Sequence, residues 1–334
     1  MSVTISLLFS LFSVVMLVSI VFVGVKVAGL QVLFGVIIPY AAFATFLAGV
    51  VYRVVEWARS PVPFRIPTTC GQQKSHSWIK ANNLENPCNT IGVIGRMALE
   101  ILFFRSLFRN LKFELRKGPK LVFWSSKWLW VAALAFHWSL LIVLLRHLRL
   151  FTEPVPSFVH LLEGIDGFFQ ITLPTLYMSG VVLLAAVTYL FLRRVVIPQL
   201  RYVSLPADYF PLFLIMGVVI SGILMRYFFK VDIIGVKELT LGLATFNPKV
   251  PEGIGIFFYI HLFLVSILFA YFPFSKLMHM AGVFLSPTRN LANNNRMVRH
   301  INPWNYPVEV HTYEEYEDEF REKMKEAGLP VEKE

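Results

Sequence analysis

Long apolar runs alternate with polar connections along this chain. Runs close to the ~20 residues that cross a bilayer fall at about 3–25, 32–52, 127–148, 172–192, 210–229 and 254–275, and the last is expected to continue as helix to about 285. Their length separates them from buried core helices. The first has neither a basic leading region nor a small-residue cleavage site, so it reads as a span rather than a signal peptide. The pattern predicts an all-α integral membrane protein with six transmembrane helices.

The connections differ in character. SPVPFRIPTTCGQQKSHSWIKANNLENPCNT is rich in Pro, Asn and Thr and should be irregular. IGVIGRMALEILFFRSLFRNLKFELRKG repeats apolar residues at helical spacing, with Arg96, Arg105, Arg109, Lys112 and Arg116 among them. It reads as a basic amphipathic helix on the membrane face, or as a docking surface for a soluble partner. VEVHTYEEYEDEFREKMKEAG reads as an acidic, solvated helix. The expected organisation is an N-terminal span at 1–30, a bundle at 31–285 that includes a loop at 53–127, and a polar tail at 286–334.

Composition supports this: 56% of residues are hydrophobic and 16% charged, against about half and a quarter in soluble domains. The net charge of +10 does not indicate nucleic acid, because the basic residues cluster beside the spans. Arg53 to Lys127 holds 13 Lys and Arg against 4 Asp and Glu, whereas Thr152 to Thr172 holds Glu153, Glu163 and Asp166 and no Lys or Arg. Positive charge marks cytoplasmic loops. Both termini and the 53–127 loop are therefore expected in the cytoplasm, with a multi-pass chain in the cell membrane. Cys70 and Cys88 sit in that loop; two thiols do not make a four-cysteine cluster, and they read as ordinary loop residues.

The candidate chemistry lies in four intramembrane histidines. His137 and His147 sit on the third span, His261 and His279 on the sixth. A buried imidazole must satisfy two ring nitrogens, and ionisable groups in a membrane are usually functional. The third span runs outward and the sixth inward, so His137 and His279 share the cytoplasmic level while His147 and His261 share the outer one. Facing imidazoles at two depths suit two haems with bis-histidine ligation, since copper or zinc would want thiolate, thioether or carboxylate nearby. Spacing alone does not complete the match: at 1.5 Å per residue the axial separations are about 15 Å and about 27 Å, and a kink near Pro273 would have to absorb part of the difference. The competing class is a transporter or proton channel with a histidine relay, which would call for intramembrane carboxylates and repeat signatures.

Two histidines ten apart on one span and two eighteen apart on the last resemble the nitrate reductase gamma subunit family, over about 32–285. That resemblance implies a five-helix dihaem cytochrome b, here with one extra N-terminal helix. It also implies haem b between His137 and His279 near the cytoplasm (proximal) and between His147 and His261 outside (distal). The first span, PVPFRIPTTCGQQKS and MALEILFFRSLFRNLK further resemble the DsrM-type cytochrome b subunits of DsrMKJOP, or Hdr-like menaquinol oxidoreductase, complexes. This implies electron exchange between menaquinone and a cytoplasmic iron–sulfur subunit resembling heterodisulfide reductase, in respiration linked to sulfite or sulfate reduction. Expected partners are a multihaem cytochrome c, a periplasmic iron–sulfur protein and a second quinone-interacting membrane subunit. The chain would then be an electron-transfer subunit whose oxidoreductase activity belongs to the complex.

A quinone site needs an apolar slot and a proton-exchanging group. In LRLFTEPVPSFVHLLEGIDG the candidates are His160, Glu163 and Asp166. Candidate partners for haem propionates are Arg146, Arg149 and Arg226 outside, and Arg193, Arg201 and Lys276 inside.

Overall fold

Among the described residues, six helices are long and apolar enough to cross a membrane, one at each apolar run. The computed structural model describes residues 3–333 apart from 61, 63–64, 67, 69–70, 119, 170–173, 299 and 301–309. Cys70 lies outside the described residues; Cys88 is half-buried with a free thiol.

Helix α1 spans Val3–Lys26. A wider π turn, Leu33–Ile37, leads into α2, Ile38–Ala58. After an irregular stretch, α3 (Thr90–Phe103) is capped by the Asn89 side chain, which accepts from the Gly92 N–H. This helix is shorter than the sequence pattern suggests. Phe104 adopts φ 50 and ends it, a four-residue α4 (Arg105–Phe108) follows, and the rest of the basic stretch is a hairpin. Strands β1 (Leu111–Arg116) and β2 (Lys120–Ser125) pair antiparallel, Phe113 opposite Phe123. The expected single basic helix is thus corrected to a helix, a left-handed break and a β-ribbon. LKFELR alternates apolar and polar at period two, a strand signal masked by the helical spacing before it.

Helix α5 (Lys127–Phe151) carries His137 and His147. The far connection contains α6 (Ser157–Asp166). Helix α7 covers Met178–Val196, and a short α8, Pro198–Val203, turns the chain back. Helix α9 (Pro206–Ile223) starts earlier than the hydropathy suggests: Pro206 tolerates the first turn, where its missing N–H is no loss, and Asp208 accepts from the Leu205 N–H at 3.0 Å. Its end widens into a π turn, Leu224–Phe228. Helix α10 (Ile233–Ala244) lies over the far side, tied to α5 by Thr240 Oγ1 donating to the Leu150 carbonyl at 2.7 Å. Helix α11 covers Ile256–Tyr271. It does not run on to 285: 3₁₀ turns at Phe272–Phe274 and Lys276–Met278 intervene before α12, His279–Gly282. Pro273 lacks the N–H that would continue the ladder. The acidic tail helix is α13, Tyr313–Glu326, closed at its start by a Thr312–Glu315 capping box.

The core is asymmetric. Val14, Val21, Phe34, Leu214, Leu239, Tyr259 and Leu264 form one buried cluster that joins α1, the turn before α2, α9, α10 and α11. Helix α1 is therefore part of the core, with Ser6 and Ser10 fully buried. A second cluster, Leu183, Val187, Ile215 and Val219, joins α7 to α9. Helix α5 packs on α7 and α10, and α11 on α2, α9 and α1. Helix α7 also packs on α9, so the two histidine-bearing helices are linked in series, α5 to α7 to α9 to α11.

Candidate functional site

The near side of the bundle bears α3, α4 and the β-hairpin, and the far side α6 and α10. On the near side the His137 and His279 ring centroids lie 5.9 Å apart at 83°. On the far side those of His147 and His261 lie 6.3 Å apart at 11°. The unequal sequence spacings are reconciled by the break at Pro273, which carries His279 off the helix axis. Gly49 on α2 makes room for that break: a Cβ there would sit 2.5 Å from the Pro273 Cβ.

Each imidazole is oriented through Nδ1. His137 Nδ1 donates to the Ala133 carbonyl at 2.8 Å, His147 Nδ1 to Val143 at 2.6 Å and His279 Nδ1 to Lys276 at 2.8 Å. A carbonyl only accepts, so the proton sits on Nδ1 and Nε2 presents a lone pair. His261 Nδ1 meets Ser221 Oγ at 3.0 Å, and that hydroxyl donates to the Val218 carbonyl at 2.9 Å. The serine oxygen therefore accepts from His261, with the same result. Gly222 lets the ring approach, since a Cβ would sit 3.3 Å from its Cε1.

These residues fit a haem. Metal-bound histidines usually donate their other N–H to an acceptor, as all four do here. A metal held between two imidazole nitrogens at about 2.0 Å each sets ring centroids roughly 6.3 Å apart. His147 and His279 are exposed in the chain alone, which leaves open space beside them. No cluster of three or more His, Cys, Asp or Glu suited to a metal occurs among the described residues.

The surrounding polar groups form two shells. On the near side Phe104 stands edge-on to His137, centroids 4.9 Å apart. Asp208 accepts from Lys276 Nζ at 2.7 Å and lies 3.7 Å from Arg194, which anchors the segment whose carbonyl orients His279. Arg193 lies in the last turn of α7 and Arg201 in α8. On the far side Asp166 is buried, accepting from the Ser179 N–H at 2.7 Å and from its hydroxyl at 2.6 Å, and it forms an ion pair with Arg146, whose Nε lies 2.9 Å away. Tyr177 is sandwiched between two guanidiniums, Arg146 at 3.6 Å and Arg226 at 4.1 Å from the ring centroid. Arg149 pairs with Glu163 at 2.6 Å, and His160 lies exposed 3.8 Å from that carboxylate.

Sequence reading missed Ser221, Asp208, Tyr177, Phe104 and Gly49. Asp208 carried a signal, an acid in the first turn of a span. The others are ordinary residues whose importance comes from what the fold brings beside them.

A helical membrane bundle with paired intramembrane histidines defines a membrane cytochrome b class. The nitrate reductase gamma subunit model matches residues 102–300, and the chain belongs to that family, which implies haem. Two curated relatives are similar over most of their length. Both are Hdr-like menaquinol oxidoreductase cytochrome b-like subunits, from Archaeoglobus fulgidus (49% identical, 84% of this chain and 85% of the relative) and Archaeoglobus profundus (43%, 80% and 81%).

Proposed function

We propose that this chain is a dihaem cytochrome b subunit that links the menaquinone pool to a soluble iron–sulfur protein. The observation that carries it is the pair of histidine couples, 5.9 Å and 6.3 Å between centroids, with every Nδ1 engaged. His137 and His279 hold the near haem b, and His147 and His261 the far one. When bound, the haems supply one-electron chemistry, tuned by burial and by the groups around the ligands.

The far side is the menaquinol side. Asp166 is already engaged by Arg146 and Ser179, so it sets the position of Arg146 rather than exchanging protons. Glu163 is likewise paired with Arg149, which leaves the exposed His160, 3.8 Å from Glu163, as the proton-exchanging group, with Glu163 beside it. Arg146, Arg149 and Arg226 would meet haem carboxylates on this side, and Arg193, Arg201 and Lys276 on the near side. The near side carries the basic loop, which supports its placement in the cytoplasm with both termini. There the partner is an iron–sulfur subunit resembling heterodisulfide reductase. The likeness to the Archaeoglobus Hdr-like menaquinol oxidoreductase subunits supports this assignment. The fuller complex would add a multihaem cytochrome c, a periplasmic iron–sulfur protein and a second quinone-interacting membrane subunit, in sulfite- or sulfate-linked respiration.

The test is a pyridine haemochrome assay on the purified chain. Two b haems per polypeptide are expected, with His147→Ala and His279→Ala each removing one. A chain purified without haem from a host able to supply it overturns the reading.

A further inference from the structure

The hairpin Leu111–Ser125 has no role in the site above, and its composition is unusual for a connection. Side chains alternate between the two faces of a ribbon. With Leu111 opposite Ser125, Phe113 opposite Phe123 and Leu115 opposite Leu121, five apolar side chains share one face. All five are exposed: Leu111 61%, Phe113 75%, Leu115 71%, Leu121 53% and Phe123 61%. A lone two-stranded ribbon is marginal in water, so this face needs a cover.

Its position identifies the cover. The hairpin leaves from Asn110, whose carbonyl accepts from the Ser126 N–H at 3.4 Å, and α5 begins at the next residue. The segment just before it already lies against that membrane-spanning helix. Trp130 Nε1 donates to the Phe103 carbonyl at 2.7 Å and Trp138 Nε1 to Leu102 at 3.1 Å. Trp138 is about 16 Å along α5 from Lys127, so residues 102–103 flank the span well inside its start. Their side chains stay open, Leu102 at 42% and Phe103 at 51%, as do Trp128 at 77% and Val131 at 46% on α5. The apolar face of the ribbon thus continues the lipid-facing surface of α5. The opposite face carries Lys112 and Lys120, and the turn carries Lys117; all three are exposed, and long lysine stems let the ammonium groups reach the headgroup level while the apolar face is seated in lipid. Trp128 at the start of α5 adds an amphipathic ring of the kind that gathers at membrane interfaces.

We propose that the hairpin is a lipid-seated paddle. Leu111, Phe113, Leu115, Leu121 and Phe123 lie in the headgroup–acyl boundary of the near leaflet, and Lys112, Lys117 and Lys120 meet anionic headgroup phosphates. The paddle braces the α3–α4 segment, which carries Phe104 to His137. The occupant is the bilayer in which the chain sits, not a soluble subunit.

The experiment uses the full chain in nanodiscs of phosphatidylethanolamine and phosphatidylglycerol, with Cys70 and Cys88 replaced by Ser. Spin labels go on Phe113→Cys, Leu121→Cys and Lys117→Cys, and collision rates with oxygen and with an aqueous nickel chelate are compared. Oxygen collisions are expected to dominate at 113 and 121 and nickel collisions at 117. Exchange of phosphatidylglycerol for phosphatidylcholine should raise nickel access at 117. Leu115→Cys replaces either apolar site that fails to fold, as judged by gel filtration and circular dichroism. Nickel dominance at the apolar sites overturns the proposal and leaves the face for a soluble partner; low access to both reagents also overturns it, because protein would then cover the ribbon.

Discussion

The two histidine couples are built differently although they sit in one bundle. His147 and His261 both stand on regular helix, their rings 11° from parallel, with Ser221 on a third helix orienting one of them. His279 instead follows two 3₁₀ turns, and its ring is 83° from that of His137. The far couple is fixed by helix packing. The near couple depends on side chains that hold an irregular segment: Gly49 under Pro273, Asp208 on Lys276 and Phe104 against His137. Helix packing gives a fixed geometry, whereas a braced segment can take a position that no continuous helix reaches.

The sharpest test of this contrast is spectroscopic. Perpendicular axial imidazoles give a strongly anisotropic low-spin ferric signal, and near-parallel ones a rhombic signal. Electron paramagnetic resonance of the oxidised protein should show one of each, and His279→Ala should abolish only the anisotropic one. Two rhombic signals would break the comparison.

Gly49→Ala ranks next. In an exposed helix the change would gain about 1 kcal/mol from propensity. Here the new Cβ would lie 2.5 Å from the Pro273 ring, and overpacking costs about 1–3 kcal/mol. The clash should win, with a lower melting temperature and loss of the near haem before the far one. Equal loss from both levels would show that Pro273 does not govern His279.

A smaller, mirrored pair follows. Asp208→Ala removes the Lys276 contact and the bond to the Leu205 N–H, worth about 1–2 kcal/mol together. It should shift the midpoint potential of the near haem only. Ser221→Ala removes the acceptor for His261 Nδ1; loss of such a partner weakens metal binding by about 10-fold or more, so the far haem should be the one that dissociates. Potentiometric titration and haem retention on dilution separate the two levels.

Much of this was legible in the sequence because membranes impose simple rules. Six spans follow from apolar length, and the opposite directions of the third and sixth put His137 with His279 and His147 with His261. The resulting pairs lie at nearly the same separation despite unequal spacing along the chain. What periodicity could not supply was any change of conformation inside a run: the break at Phe104 that begins a ribbon, or the turns after Pro273. Helices α6 and α10 were also missed, since each is a short segment with a mixed pattern. Ser221 and Gly49 are common residues in common contexts, and their importance is fixed only by contacts across the fold.

The near couple has one further support that the far couple lacks, and pH should expose it. Arg65 and the segment from 71 to 110 are tied to the chain after α12, where the Asn293 side chain also donates to Asn86 Oδ1 at 2.7 Å. Arg65 Nε donates to the Thr288 carbonyl at 2.9 Å, and Glu85 meets Arg105 at 2.7 Å and Arg109 at 2.5 Å. Burial pushes the Glu85 carboxyl up, but the hydrogen bonds from Arg109 and Arg105 outweigh it and hold the group below the usual carboxylate range. A carboxylate whose folded value is depressed stabilises the fold fully above its unfolded value, and that contribution is lost as pH falls through the folded one. The arginines are partly exposed, so the network is worth about 1 kcal/mol. Glu85→Gln should therefore lower the melting temperature modestly at neutral pH, and the gap from the native chain should close on acidification through and below the carboxylate range. The near haem signal should weaken alongside while the far one holds. A gap independent of pH would mean that Glu85 acts by shape rather than charge, and the segment would then brace His137 through Phe104 packing alone.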